Sequence, residues 1–323
     1  MAEKGPASAP ARAGDAAEPR LVGLVGAGAL AALLFSAQGF VPVLAPLSLV
    51  SPLPLVLQRL RGGMGGALLA AALAAALVGA AHAPAPAAGF VLLAAGPGLL
   101  MGESLARGRG LLRGCAWAFA LLATVVAAGL IFASDAMAER GFAFFNELRS
   151  PAFLDQLKAG GWPPDRIATW SEYCKECRDV FAVVFPAAYM IGAAVTVLVN
   201  AGLLRLYLLR RDPGWLEDGE FERVRWPLGL VAAFILSGAA VALPPARSAA
   251  YNVLLVVAFF FALQGLAVVA FYARRLAGPP LLRWVVVLLV LANPWAPQIL
   301  ALLGLFDNWF DFRRWAEPPP ERG

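Results

Sequence analysis

The stretch SDAMAERGFAFFNELRSPAFLDQLKAGGWPPDRIATWSEYCKECRD, residues 134–179, is the long interval in which charges of both signs recur every few positions. On either side the chain is almost unbroken apolar sequence. The charged interval therefore reads as the one sizeable piece of protein outside a bilayer. Within it, Phe142, Phe145, Leu148, Phe153, Leu154 and Leu157 recur at helical spacing among charges, with Pro151 and the Gly160, Gly161, Pro163, Pro164 cluster as breaks. The pattern predicts short amphipathic helices lying on the membrane surface or capping a bundle.

Composition agrees. Of the 323 residues, 60% are hydrophobic and 15% charged, against roughly 45–50% and about 25% in a soluble domain. A soluble protein of this size could not hide so much apolar surface. The formal net charge of +5 does not point to nucleic acid, because the cations mark short connections instead of sharing one face.

Working outward, the apolar run Leu21–Leu60 is long enough for two crossings, since its forty residues reach about 60 Å as helix against a hydrocarbon core of about 30 Å. Pro42, Pro46, Pro52 and Pro54 shorten or kink the second of these. Gly63–Ala81, Gly89–Leu105 and Leu112–Ala133 follow. Beyond the charged interval come Val180–Leu206, Pro227–Leu243, Tyr251–Tyr272 and Leu281 to about Leu303. The expected fold is all-α, a polytopic transmembrane helix bundle of about nine segments with one extracytoplasmic amphipathic-helical insertion. Its parts are a cytoplasmic tail (1–20), a first bundle half (21–133), the insertion (134–179), a second half (180–304) and an interfacial C-terminal tail (305–323). Gly23, Ala27 and Ala31, spaced by four, offer a face for close helix approach, although Ala and Gly are abundant throughout.

The arginines give the orientation. Lys and Arg near segment ends resist translocation, and sixteen fall on the side of the amino terminus, from Lys4 to Arg283, while the short loops opposite hold only Arg247. The amino terminus is expected in the cytoplasm of a bacterium, with the protein in its inner membrane and the charged interval outside. Its charges are close to balance, as suits a solvated exterior loop. A ninth crossing would place Arg313 and Arg314 outside, against the same rule. The ending is therefore read as one broken crossing followed by an interfacial helix carrying Phe306, Trp309, Phe310, Phe312 and Trp315, with Asp307, Asp311 and Arg314 as an interfacial ion-pair cluster.

Polar residues in apolar segments must find partners or line a cavity. Gln38, Glu103, Asn200 and Gln264 are accordingly the ligand-binding candidates, with Arg205 and Gln298 beside them. Each also has a structural explanation: Glu103 lies four residues before Arg107, Arg205 can snorkel, and Asn200 and Gln264 suit interhelical hydrogen bonds. Cys174 and Cys177 form a CxxC whose spacing puts both thiols on one helix face, suited to a disulfide or to half of a metal site. With His82 the sole histidine, a disulfide leads and no metal is assigned. Cys115 reads as a packing residue.

The segments "SPLPLVLQRLRGGMGG", "FPAAYMIGAAVTVLVNAGLLRLYLLRR", "FFFALQGLAVVAFYARR" and "LLGLFDNWFDFRR" resemble the YybS-like family of bacterial multi-pass inner-membrane proteins, a resemblance that runs over nearly the whole chain after the tail. It implies a membrane protein and no particular reaction. The opening half is also similar to the substrate-binding subunits of energy-coupling-factor vitamin transporters. The expectation is a substrate-binding or transport component for a small molecule; the alternative is a membrane scaffold or assembly partner that binds none. The transport reading requires Gln38, Asn200 and Gln264 to face one shared void. Partners are the lipid bilayer and other membrane subunits, without nucleic acid, and no cofactor is expected. No phosphate-cradling loop, nucleophile elbow or HExxH pattern occurs, so enzymatic activity is not expected.

Overall fold

The computed structural model describes residues 21–40, 42–82, 84–216, 221–275, 293 and 295–316. Among these the structure is helical, with no strand. Five helical stretches are long and apolar enough to cross a membrane: Pro46–Ala81, Pro84–Ala106, Leu111–Phe132, Pro164–Arg211 and Pro244–Arg275. Leu21–Ala37 and Leu228–Ala240 are shorter apolar helices. The chain is thus an all-α bundle of the membrane type. The crossing expected from Leu281 lies outside the described residues as far as residue 292.

We number the helices α1 (Leu21–Phe40), α2 (Leu53–Ala81), α3 (Pro84–Ala106), α4 (Leu111–Phe132), α5 (Ser134–Glu147), α6 (Pro151–Ala159), α7 (Pro164–Arg211), α8 (Leu228–Ala240), α9 (Arg247–Arg275) and α10 (Ala296–Phe310). Between α1 and α2 the chain runs as a 3-10 helix, Pro42–Val50, with Pro46 inside it. Prolines remove the donors an α-helical ladder needs, and the tighter winding follows. Helix α2 is interrupted at Gly63, whose φ of 70° and ψ of 178° are not helical. This glycine turns the chain from the first half of α2 into the second, where the sequence predicted one segment to end and another to begin. A π-helical turn, Val91–Ala95, lies inside α3.

The chain forms two compact units, residues 1–126 with 193–217, and residues 127–192 with 218–323. Helix α7, 48 residues from Pro164, runs without a break through the segment expected from Val180 and belongs to both units.

The first unit is built on small residues. Ala31, Ala70, Ala74, Leu55, Val78 and Phe90 are fully buried, and Phe35 meets Phe90 edge to face at 5.3 Å. Helix approach is set by backbone contact at glycines. A Cβ on Gly28 would lie 2.8 Å from the Ala70 carbonyl, one on Gly98 2.7 Å from the Pro52 carbonyl, and one on Gly102 2.9 Å from the Arg59 Cβ. In lipid, where burial of apolar surface does not drive helices together, such contacts do. The spaced face of Gly23, Ala27 and Ala31 is divided: Ala31 is core, while Gly23 and Ala27 line an open groove.

In the second unit α9 packs on α10 through two glycines. A Cβ on Gly265 would fall 2.0 Å from the Leu300 carbonyl, and one on Gly304 1.9 Å from the Phe261 carbonyl. Val231, Val257, Phe261 and Leu305 form the apolar cluster beside this contact. The charged interval begins as expected, with α5 and α6 holding no fully buried residue. Ser150 caps α6, its Oγ accepting from Phe153 N at 3.2 Å ahead of Pro151 at the first helical position. Trp170 Nε1 then donates to the Leu148 carbonyl at 3.1 Å, tying the start of α7 to the end of α5.

Candidate functional site

Among the described residues, four polar clusters involve residues placed in apolar helices, two in each unit. The most deeply buried centres on Asp307 of α10, which has no exposed surface. After α10, Asp311 adopts the left-handed conformation at φ 45°, and this reversal brings Arg313 back onto Asp307, Nη1 to Oδ2 at 2.7 Å. Gln264 of α9 donates from Nε2 to the same oxygen at 2.9 Å. The other oxygen, Oδ1, accepts from Phe312 N at 3.2 Å. Arg225, just ahead of α8, donates from Nη2 to the Asp307 carbonyl at 3.1 Å and pairs with Asp311 at 2.9 Å. Gln264 completes the link, its Oε1 accepting from Trp226 N at 3.0 Å, while Trp226 Nε1 donates to the Phe260 carbonyl at 2.7 Å.

A buried carboxylate in a membrane protein is stable only when paired and hydrogen-bonded. Both oxygens of Asp307 accept from protein donors, and one guanidinium, Arg313, is itself buried with a second bond from Nη2 to the Val224 carbonyl at 3.0 Å. The cluster therefore clamps α9, α10 and the segment before α8 into one piece. The expected interfacial cluster of Asp307, Asp311 and Arg314 is corrected accordingly: Asp307 is interior, and its main partners are Arg313, Arg225 and Gln264. Arg314 reaches Asp311 only at 4.0 Å from an exposed position.

The second cluster of this unit supports a helix at an internal proline. Pro186 lies inside α7, and a proline there disturbs the ladder around it. Asn252 of α9 fills the gap, accepting from Ala187 N at 2.8 Å and donating to the Val183 carbonyl at 2.8 Å. Those two groups would otherwise bond to each other across one turn. Sequence reasoning missed Asn252. The signal was Pro186 within an apolar run, which announces orphaned backbone groups that a side chain elsewhere must satisfy.

In the first unit Glu103 pairs with Arg59 at 2.6 Å and with Arg107 one turn on. Arg107 was expected; Arg59 was not. Asn200 donates from Nδ2 to the Leu49 carbonyl at 2.6 Å and to the Thr196 carbonyl at 2.7 Å. A 3-10 turn would cap Leu49 from residue 52, which is proline and has no N–H, so the amide of Asn200 takes that place.

The candidate residues thus sit in separate protein contacts. Glu103 and Asn200 belong to the first unit, with different partners, and Gln264 belongs to the second. Gln38 lies in α1, and its side chain is outside the described residues. Gln298 is in the first turn of α10. Cys174 is buried, Cys177 half-buried, and both are free thiols on α7. No group of three or more His, Cys, Asp or Glu able to hold a metal occurs among the described residues.

One further polar residue, Gln58, did not stand out in the sequence. Gln58 of α2 is only 7% exposed, and its amide has no hydrogen-bond partner among the described residues. It lines a groove of about 740 Å³ between α1 and the first half of α2, together with Gly23, Gly26, Leu30, Leu57 and Arg61.

No curated protein and no solved structure matches the chain. The family model described as "Predicted membrane protein (DUF2232)" matches residues 29–308, a range holding these four polar clusters except Asp311, Phe312 and Arg313 of the Asp307 clamp, and the chain belongs to that family.

Proposed function

We propose that this protein is a membrane scaffold or assembly partner, seated in the bacterial cytoplasmic membrane with its amino terminus in the cytoplasm. The observation that carries this reading is the use made of the polar residues. Gln264, Asn252 and Asp307 direct their hydrogen-bonding groups to neighbouring protein segments, and Asn200 does so through its Nδ2, as a rigid framework requires. A transported solute would need such groups turned to a common void. Crosslinking in native membranes followed by purification tests it: a stable complex with other membrane proteins is expected. A protein that purifies alone and retains a small polar solute in equal amount would overturn it.

The orientation is supported by the sorting of the arginines. The segment Val180–Leu206 of α7 already reaches about 40 Å as helix, beyond a hydrocarbon core of about 30 Å, so residues 164–179 stand outside it. Burial raises the Cys174 thiol above its ordinary range, with Cys177 as the second cause, and a raised thiol is less often the reactive thiolate. With Cys115 replaced by Ala, a membrane-impermeant maleimide added to cells with opened outer envelopes should label Cys177 faster than Cys174. Labelling only after the inner membrane is breached would invert the map.

A second reading, a substrate-binding or transport component for a small molecule, draws on the similarity to energy-coupling-factor subunits and on the groove of the first unit. Copurification with an ATPase and its membrane coupling subunit would favour it.

A further inference from the structure

We infer that the groove between α1 and the first half of α2 binds one anionic glycerophospholipid, its phosphate held by Gln58 and Arg61 and an acyl chain laid against Leu30 and Leu57. This goes beyond the scaffold reading and does not depend on it. An amide that lines a groove without a protein partner keeps its donors and its acceptor for a ligand. Gln58 is such a group, and its position shows where it points. Its Oε1 lies 3.8 Å from the place of a Cβ on Gly23, and its Nε2 2.5 Å from that of a Cβ on Gly62, two residues of the groove wall. The amide head therefore sits at the groove, in room that glycine leaves.

Charge selects the ligand. Arg59 is neutralised by Glu103, whereas Arg61 has no carboxylate partner among the described residues. Tyr207 orients Arg61, accepting a hydrogen bond from Nη2 and placing its ring 5.4 Å from the guanidinium carbon, which leaves the other N–H groups for a ligand. A guanidinium beside an amide donor suits a phosphate oxygen, and the remaining wall is apolar and glycine-lined. The volume falls within the range of ligand pockets, roughly 300–1,000 Å³. A free polar anion would leave the apolar wall uncovered, and a neutral helix would leave Arg61 and Gln58 without acceptors; a phospholipid satisfies both.

The test uses the full-length protein in detergent, with native mass spectrometry after addition of phosphatidylglycerol or phosphatidylcholine of equal chain length. One phosphatidylglycerol should be retained in preference to phosphatidylcholine. Arg61→Gln should lower its occupancy about five- to tenfold, the order expected for removing one cation from an anionic lipid. A Cβ on Gly26 meets no atom within 4 Å, so Gly26→Leu should fill the groove without disturbing the fold and abolish retention. Gly229→Leu, at an equally open glycine of the other unit, should retain lipid as the unaltered protein does, and thermal unfolding should be alike for both leucine variants. Equal retention of the two lipids, unchanged retention in Gly26→Leu, or displacement by inorganic phosphate alone would overturn the assignment. So would a crosslink from Gly26→Cys to another membrane protein in place of lipid. Loss of lipid leaves the complex sought for the scaffold reading to be scored separately.

Discussion

Two carboxylates, half-buried Glu103 in the first unit and fully buried Asp307 in the second, meet the same requirement by different routes. Glu103 has one partner a single turn away and one 44 residues distant, and Arg107, the near partner, is 58% exposed at its side chain. Water and headgroups reach this pair, so losing one contact leaves others available. Asp307 has no exposed surface; Gln264 comes from 43 residues away, Arg225 from 82, and Arg313 from beyond the helix end. Nothing from solvent can substitute there. The comparison teaches that a carboxylate at a membrane helix end can rest on its own helix, whereas one inside a helix contact must recruit several segments and thereby fixes them.

The sharpest way to break the comparison is Asp307→Ala. It leaves the buried Arg313 uncompensated, and a loss of about 3–5 kcal/mol is expected, read as unfolding in detergent with increasing denaturant. Replacing Arg313 by Met in the same chain should recover part of that loss, since the unpaired charge goes with its partner. Glu103→Gln should cost less, about 1–3 kcal/mol, because Arg107 regains water while Arg59 keeps an acceptor. A cost equal to that of Asp307→Ala would erase the distinction between the two sites. The smallest effect is expected at Asn252→Leu, about 0.6 and at most about 1.7 kcal/mol, the measured range for polar contacts between membrane helices. Restoring a backbone donor with Pro186→Ala should suppress it, as the ladder closes without Asn252.

Much of the framework was legible. Apolar length marked helices α1 to α4 and α9, the proline cluster marked the irregular winding at Pro42–Val50, and Gly63 fell at the expected junction. The pair of Glu103 with Arg107 was legible because four-residue spacing brings side chains together on any helix. Arg59 was not, since its approach depends on the contact of Gly102 with its Cβ. The start of α7 was misplaced for a related reason. Charge density marks where the bilayer ends but not where a helix ends, and Pro164 begins a helix that crosses from one regime to the other.

Among the polar candidates, the residue types were readable and their destinations were not. Gln264 and Asn200 were recognised as costly in an apolar segment, yet whether such a group meets a ligand or a carbonyl depends on what another segment places beside it. Gln58 shows the converse. In sequence it is one polar residue in a short arginine-flanked stretch, and its lack of a partner emerges only when α1 has packed against α2.

Composition, periodicity and the sorting of cations by themselves determined that this chain is a helical membrane protein with one charged interval, because hydropathy acts on each segment alone. Tertiary structure alone decided that Asp307 is a clamp, that Asn252 supports α7, and that Gln58 faces a groove. Hydrogen bonds over distances of a few ångströms depend on how whole helices pack, and glycine contacts such as Gly265 with Leu300 set that packing only after the chain has folded.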